Sequence, residues 1–118
     1  RNAIAHAAVE VAEEIGATAI FAETKSGATA ANIASVRPGL PICAVTSSQR
    51  AAQQLALTYA TRSFVRPDGE TAGTELAKEL FDQKYFGEDL DKLTVVIVSG
   101  RHPGVTGGTD TLRVRVVE

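Results

Sequence analysis

The chain has 118 residues, 44% of them hydrophobic and 22% charged, with a formal net charge of −2. That length suits one domain around one core, and the near-neutral charge excludes the concentrated basic surface that nucleic acid requires. No apolar run approaches the roughly 18 residues of a membrane span, and no signal peptide is visible, so neither a membrane nor a nucleic acid is expected as a partner. Cys43 is the sole cysteine, which leaves no disulfide framework or cysteine-based metal site within one chain. It lies inside Ile42-Cys43-Ala44-Val45 and reads as a buried, inert thiol, in keeping with a cytoplasmic protein. With no Trp and few other aromatics, stacking surfaces for bases are scarce. The chain opens on Arg1-Asn2, which fits a domain excised from a longer protein, although processing or trimming would look the same.

Ile4, Ala8, Val11 and Ile15 recur at helical spacing, with Asn2 as a possible cap and Gly16 as a stop. Ala19 to Ala22 reads as a short buried strand. Gly27 to Val36 is an Ala-rich helical stretch with Thr29, Ile33 and Val36 on one side, ended by Arg37-Pro38-Gly39. Ile42 to Val45 is the next strand, and Ser47 or Ser48 can cap a third helix through about Leu57. Ser63-Phe64-Val65 predicts a third strand, closed by the turn signal Pro67-Asp68-Gly69. From Thr71 to Phe86, Leu76, Leu80 and Lys84 with Phe81 and Tyr85 predict an amphipathic fourth helix. Leu93 to Val98 is apolar throughout, as a central parallel strand should be. Leu112, Val114 and Val116 alternate with Arg113 and Arg115, which predicts a half-buried strand at an edge.

Strands alternating with helices imply an α/β domain, a mostly parallel sheet with helices on both faces. The final connection is too short for a helical crossover, so the last strand is expected to run antiparallel or to dock at a distance. Two loops that follow strands carry anion-binding chemistry. In the first, Thr24, Lys25, Ser26, Gly27, Ala28 and Thr29 precede a helix whose free backbone N–H groups and dipole favour an anion, and the hydroxyls and Lys25 add donors and charge. In the second, Gly100 to Gly108, glycines including Gly104 and Gly107 admit a ligand close to the backbone, while Arg101 and His102 bring donors to it. A phosphate-bearing small molecule is the first functional expectation. The bland alternatives are that Ser26 only caps the helix and that Arg101 and His102 are solvated residues of a tight reversal. Catalysis finds little support: Glu10, Glu13 and Glu14 lie along one helix, no acid/base pair with Glu23 is evident, and no metal-ligand cluster stands out.

Thr24-Lys25-Ser26-Gly27, then Arg37-Pro38 with Pro41-Ile42 and Ala44-Val45-Thr46, together with the closing stretch from Val95 to Val117, resemble the C-terminal domain of pyruvate kinase. No single motif is strongly specific, but the ordered combination spans nearly the whole chain. One departure is Asp110, where the family usually has Asn between the two threonines of Thr109-Asp110-Thr111. The resemblance implies a three-layer α/β/α sandwich with five strands in order 3-2-1-4-5, the fifth antiparallel. In that order the switch point, where ligands gather at the carboxyl ends of strands, lies between strands 1 and 4, the two that feed the loops at Thr24–Thr29 and Gly100–Gly108.

The resemblance also implies a role. The parent enzyme moves a phosphoryl group from phosphoenolpyruvate to ADP with magnesium and usually potassium, whose sites and catalytic lysine belong to a barrel domain. This chain is then expected to bind no cofactor and to be inert taken alone. Its partners would be that barrel domain, a phosphorylated effector held at Thr24–Thr29 with the second loop closing over it, and further copies in a dimer or tetramer. Members that take fructose 1,6-bisphosphate often use a Trp and an Arg ahead of strand 4; this chain has no Trp, and 71–92 holds no Arg. AMP or a sugar monophosphate is therefore favoured. Thr111, Leu112, Arg113, Val114 and Arg115 are the expected subunit contact, unless Arg113 and Arg115 instead keep the edge solvated. The alternative from a different class is an assembly module with no effector.

Overall fold

The stretch Leu93–Ser99 (β4) is buried on both sides along nearly its whole length, which only a strand covered by helices on two faces achieves. A computed structural model describes residues 3–100 and 111–118, and shows how that cover is built. The remaining strands are β1 (Ala19–Glu23), β2 (Ile42–Thr46), β3 (Thr61–Val65) and β5 (Thr111–Val117). The helices are α1 (Ala3–Ile15), α2 (Ala28–Ser35), α3 (Gln49–Gln54) and α4 (Ala72–Asp82). The sheet runs β3-β2-β1-β4-β5; β1, β2, β3 and β4 pair in parallel, and β5 is antiparallel to β4. This is the expected α/β architecture and strand order.

Alternation along each strand divides the interior in two. On one side Ile20, Ala22, Ile42, Ala44, Val96 and Val98 meet α1, α2 and Leu55. On the other, Ala19, Phe21, Cys43, Val45, Val95 and Ile97 meet Leu76, Ala77 and Leu80 of α4. Cys43 is buried at the second layer, and desolvation pushes its thiol up to about 12, consistent with the inert reading.

Three local expectations need correction. In α1 the buried stripe is Ala5, Ala8, Val9 and Ala12, not one reaching Ile15, which is 45% exposed. Small side chains sit where α1 meets α2 and the sheet, so Ile4 and Val11 are displaced to the flanks of the stripe. Asn2 lies outside the described residues. Gly16, at φ 70°, does stop α1: Ala17 N–H reaches Ala12 O at 2.9 Å and Gly16 N–H reaches Glu13 O at 3.4 Å, the paired bonds of a left-handed helix end.

Helix α3 stops at Gln54, three residues short of the expected end, because Leu55 turns inward to the core while Leu57 is 99% exposed. Its start is fixed by Ser48, whose Oγ accepts the Ala51 N–H at 3.0 Å. Helix α4 likewise stops at Asp82, short of Phe86. Lys84 adopts φ 60° there, and Tyr85 N–H bonds Leu80 O at 2.9 Å. The reversal drops Phe86 beside Phe21, ring centroids 6.3 Å apart.

Candidate functional site

The segment after β1 is held in shape by its own side chains. Thr24 is buried, and its Oγ1 accepts the Gly27 N–H at 2.9 Å. Gly27 is the N-cap of α2 at φ 94°, a left-handed conformation that costs other residues about 1–2 kcal/mol. A Cβ there would touch only Leu55, at an ordinary 3.5 Å, so the requirement for glycine is one of backbone and not of space. Ser26 Oγ accepts the Ala28 N–H at 3.3 Å. The next two amides, of Thr29 and Ala30, belong to the first turn, where no helical acceptor is available. Thr46 at the end of β2 steadies the loop, donating to Lys25 O at 3.5 Å. Lys25 extends outward and pairs with Asp68 Oδ2 at 2.8 Å; its hydrogen bond holds the Asp68 carboxyl below the ordinary aspartate range.

A second group of side chains sits beside this loop, and sequence reading did not assemble it. Register places Glu23, Ser99 and Thr111 in one row across β1, β4 and β5, with Arg113 two residues along the same face. The Glu23 side chain, 13% exposed, takes the Ser99 hydroxyl on Oε1 and the Gly73 N–H on Oε2 at 2.6 Å. Arg113 Nη2 lies 3.4 and 3.5 Å from the two carboxylate oxygens and 3.2 Å from Ser99 Oγ. Arg113 Nε is buried without a partner. Gly73 is the second residue of α4, so the carboxylate occupies the electropositive end of that helix. A Cβ on Gly73 would lie 2.8 Å from Glu23 Oε2 and 3.0 Å from Ile97 Cγ2; glycine is what admits the carboxylate.

Thr24, Lys25 and Thr46 from the first group and Glu23, Ser99, Thr111 and Arg113 from the second line one open cleft of about 530 Å³ at the carboxyl edge of the parallel strands, with Arg66 to Glu70 forming its far wall. Arg66 grips Glu79 through Nε–Oε1 at 3.1 Å and Nη2–Oε2 at 2.5 Å; this fork raises the arginine and lowers the glutamate from their usual ranges. Among the described residues, each cation lining the cleft is therefore matched to a carboxylate: Lys25 to Asp68, Arg66 to Glu79, Arg113 to Glu23. No group of three or more His, Cys, Asp or Glu among the described residues is placed to hold a metal.

The structure thus brings together Thr24, Lys25, Ser26, Gly27, Ala28 and Thr29 at the start of α2. Arg101, His102, Gly104, Gly107 and Asp110 lie outside the described residues; Gly100, just before them, donates its N–H to Glu23 O at 3.2 Å. Of the strand β5 set, Arg113 turns into the cleft, Leu112 packs toward α1, and Val114 and Arg115 are exposed along the edge. The missed signal was the charge of Glu23 at the end of an otherwise apolar strand.

Comparison with known proteins follows the fold. The chain is 35% identical to pyruvate kinase 2 of Synechocystis sp., over 99% of its own length and 20% of that protein's. It is 33% identical to the pyruvate kinase of Corynebacterium efficiens (99% and 25%) and 36% identical to that of Agrobacterium vitis (96% and 24%). The solved structure of Cryptosporidium parvum pyruvate kinase in complex with ADP shares the fold at a TM-score of 0.79 and 24% identity, over 98% of this chain and 23% of that one. The chain therefore spans no more than about a quarter of the length of these relatives. The family described as pyruvate kinase, alpha/beta domain, matches residues 2–115, and the chain belongs to it.

Proposed function

We propose that the chain is the regulatory domain of a pyruvate kinase, binding a phosphorylated metabolite in the cleft and contributing to a subunit contact. The observation that carries this reading is the loop at Thr24–Gly27, whose buried Thr24 hydroxyl holds the left-handed Gly27 at the start of α2 while Thr24 and Lys25 line the open cleft. Amides converging at a helix start favour a phosphate. The parent enzyme would transfer a phosphoryl group from phosphoenolpyruvate to ADP in the cytoplasm, using magnesium and potassium held by a barrel domain. This domain would supply none of that chemistry, and the effector would be AMP or a sugar monophosphate. The exposed edge of β5, with Val114 and Val116 at 44% and 51% exposure, supports pairing with a second copy, because an edge strand presents unpaired N–H and C=O groups.

Calorimetry of the chain with a panel of phosphorylated metabolites tests the effector site. Heat of binding that is lost in Lys25→Ala supports it; a panel without signal, and no shift of the Thr29 or Ala30 amides in high phosphate, would overturn it. Sedimentation at high concentration tests the contact: a dimer weakened by Val114→Pro is expected, and a strict monomer unchanged by that substitution would remove it.

A further inference from the structure

We infer that Glu23 is the specificity-determining residue of the cleft, an internal anion that restricts the ligand to one phosphate and to a neutral, hydroxyl-bearing remainder. The inference rests on the phosphate-site reading of the loop at Thr24–Thr29 and adds what the other half of the cleft does.

The positive features beside β1 and β4 are those a second phosphate would seek: the amino end of α4 and the Arg113 guanidinium. Both are already taken by one carboxylate, through the Gly73 N–H at 2.6 Å and Arg113 Nη2 at 3.4 Å. The carboxylate is not free to swing away, since the Ser99 hydroxyl holds its other oxygen and the side chain is only 13% exposed. Gly73 leaves room for this carboxylate and for little else, with Ile97 Cγ2 3.0 Å from where a Cβ would stand. A dianionic group brought here would face a buried like charge, and like-charge juxtaposition in a partly desolvated site is strongly unfavourable. A sugar hydroxyl meets the opposite situation: the carboxylate accepts its proton, and no second anion is brought against Glu23. On the loop side only Lys25 must be released, from an exposed contact with Asp68. The cleft therefore asks for a phosphate at α2 and hydroxyls at Glu23, as a sugar monophosphate or nucleoside monophosphate provides.

Matched ligands separate this from the underlying reading. Titration of the ¹⁵N-labelled chain with inorganic phosphate, fructose 6-phosphate and fructose 1,6-bisphosphate is expected to shift the amides of Gly27 to Ala30 in each case. The bisphosphate should bind at least tenfold more weakly than the monophosphate. Glu23→Gln keeps the shape and an acceptor for Gly73 while removing the charge; it should narrow that ratio at least fivefold, by tightening the bisphosphate. A wild-type chain that takes the bisphosphate equally well or better overturns the inference, whether or not the variant folds. So does an unchanged ratio in folded Glu23→Gln. Silence toward all three ligands overturns the phosphate-site reading, and this inference with it; shifts at Gly27 to Ala30 with a flat ratio overturn this inference alone.

Discussion

The two halves of the cleft hold their charges in opposite ways. Beside α4, Glu23 and Arg113 are 13% and 28% exposed, and three groups, from α4, β4 and β5, converge on the one carboxylate of β1. Beside α2, Lys25 and Asp68 meet at 2.8 Å with 53% and 60% of their side chains in solvent. Short distance alone does not measure strength: the exposed pair is screened and held by two flexible side chains, whereas the longer contact is fixed by its neighbours. The first half is built to stay as it is, and the second can exchange its partner for a ligand.

The comparison breaks most directly at Gly73. Gly73→Ala brings a methyl to 2.8 Å from a carboxylate oxygen with no slack. Overpacking costs roughly 1–3 kcal/mol and the better helix former returns up to ~1 kcal/mol, so a net loss of about 1–2 kcal/mol is expected by urea denaturation. A stability gain would mean that Glu23 slides aside freely and that this half is as loose as the other. Thr24→Val comes next. It leaves the Gly27 N–H without its acceptor at a buried position, for which a loss of about 1–2 kcal/mol is expected, together with weaker phosphate binding because α2 no longer starts from a fixed turn.

Asp68→Asn should have the smallest effect on stability, within about 0.5 kcal/mol, yet raise the affinity for inorganic phosphate two- to fivefold by freeing Lys25. Titration at pH 7 checks it, and an unchanged affinity would show that Lys25 does not serve the ligand. The same pair fixes a pH dependence. Lys25 lowers the Asp68 carboxyl from 3.8, so its contribution is complete above that value and is lost as pH falls below it. Asp68→Asn should therefore flatten the stability profile only below about pH 4.

Much of the fold was legible because each strand and helix signals itself locally. Val95 to Val98 could be little other than a central strand, and Gly16 marked the end of α1 in the sequence. Helix ends were harder: Leu55 and Lys84 end helices through where their neighbours pack, which spacing does not encode. The strand order came from family resemblance, since periodicity gives layers and not neighbours. The loop half of the site was readable because Thr24 to Thr29 are consecutive. The other half was not, because Glu23 meets Gly73, Ser99 and Arg113 at separations of 50, 76 and 90 residues. Arg113 was read as part of an exposed edge because alternation says which face a residue takes, and not whether another strand's carboxylate waits there.

Those separations carry a consequence for how the chain folds. Strands β1, β2 and β3 assemble from contiguous sequence, and β4 and β5 form another neighbouring pair, but β1 meets β4 only across the long loop between Glu23 and Ser99. Closing that loop costs entropy before its contacts return anything, so the seam between the two units is expected to close late. Ser99→Ala, at the seam, should accelerate unfolding and leave the refolding rate nearly unchanged in a stopped-flow chevron. Slower refolding by the full loss in stability would place the seam in the nucleus instead. The cleft would then be the last part of the molecule to form and the first to open, so a ligand seated across it would act chiefly by lengthening the lifetime of the folded state.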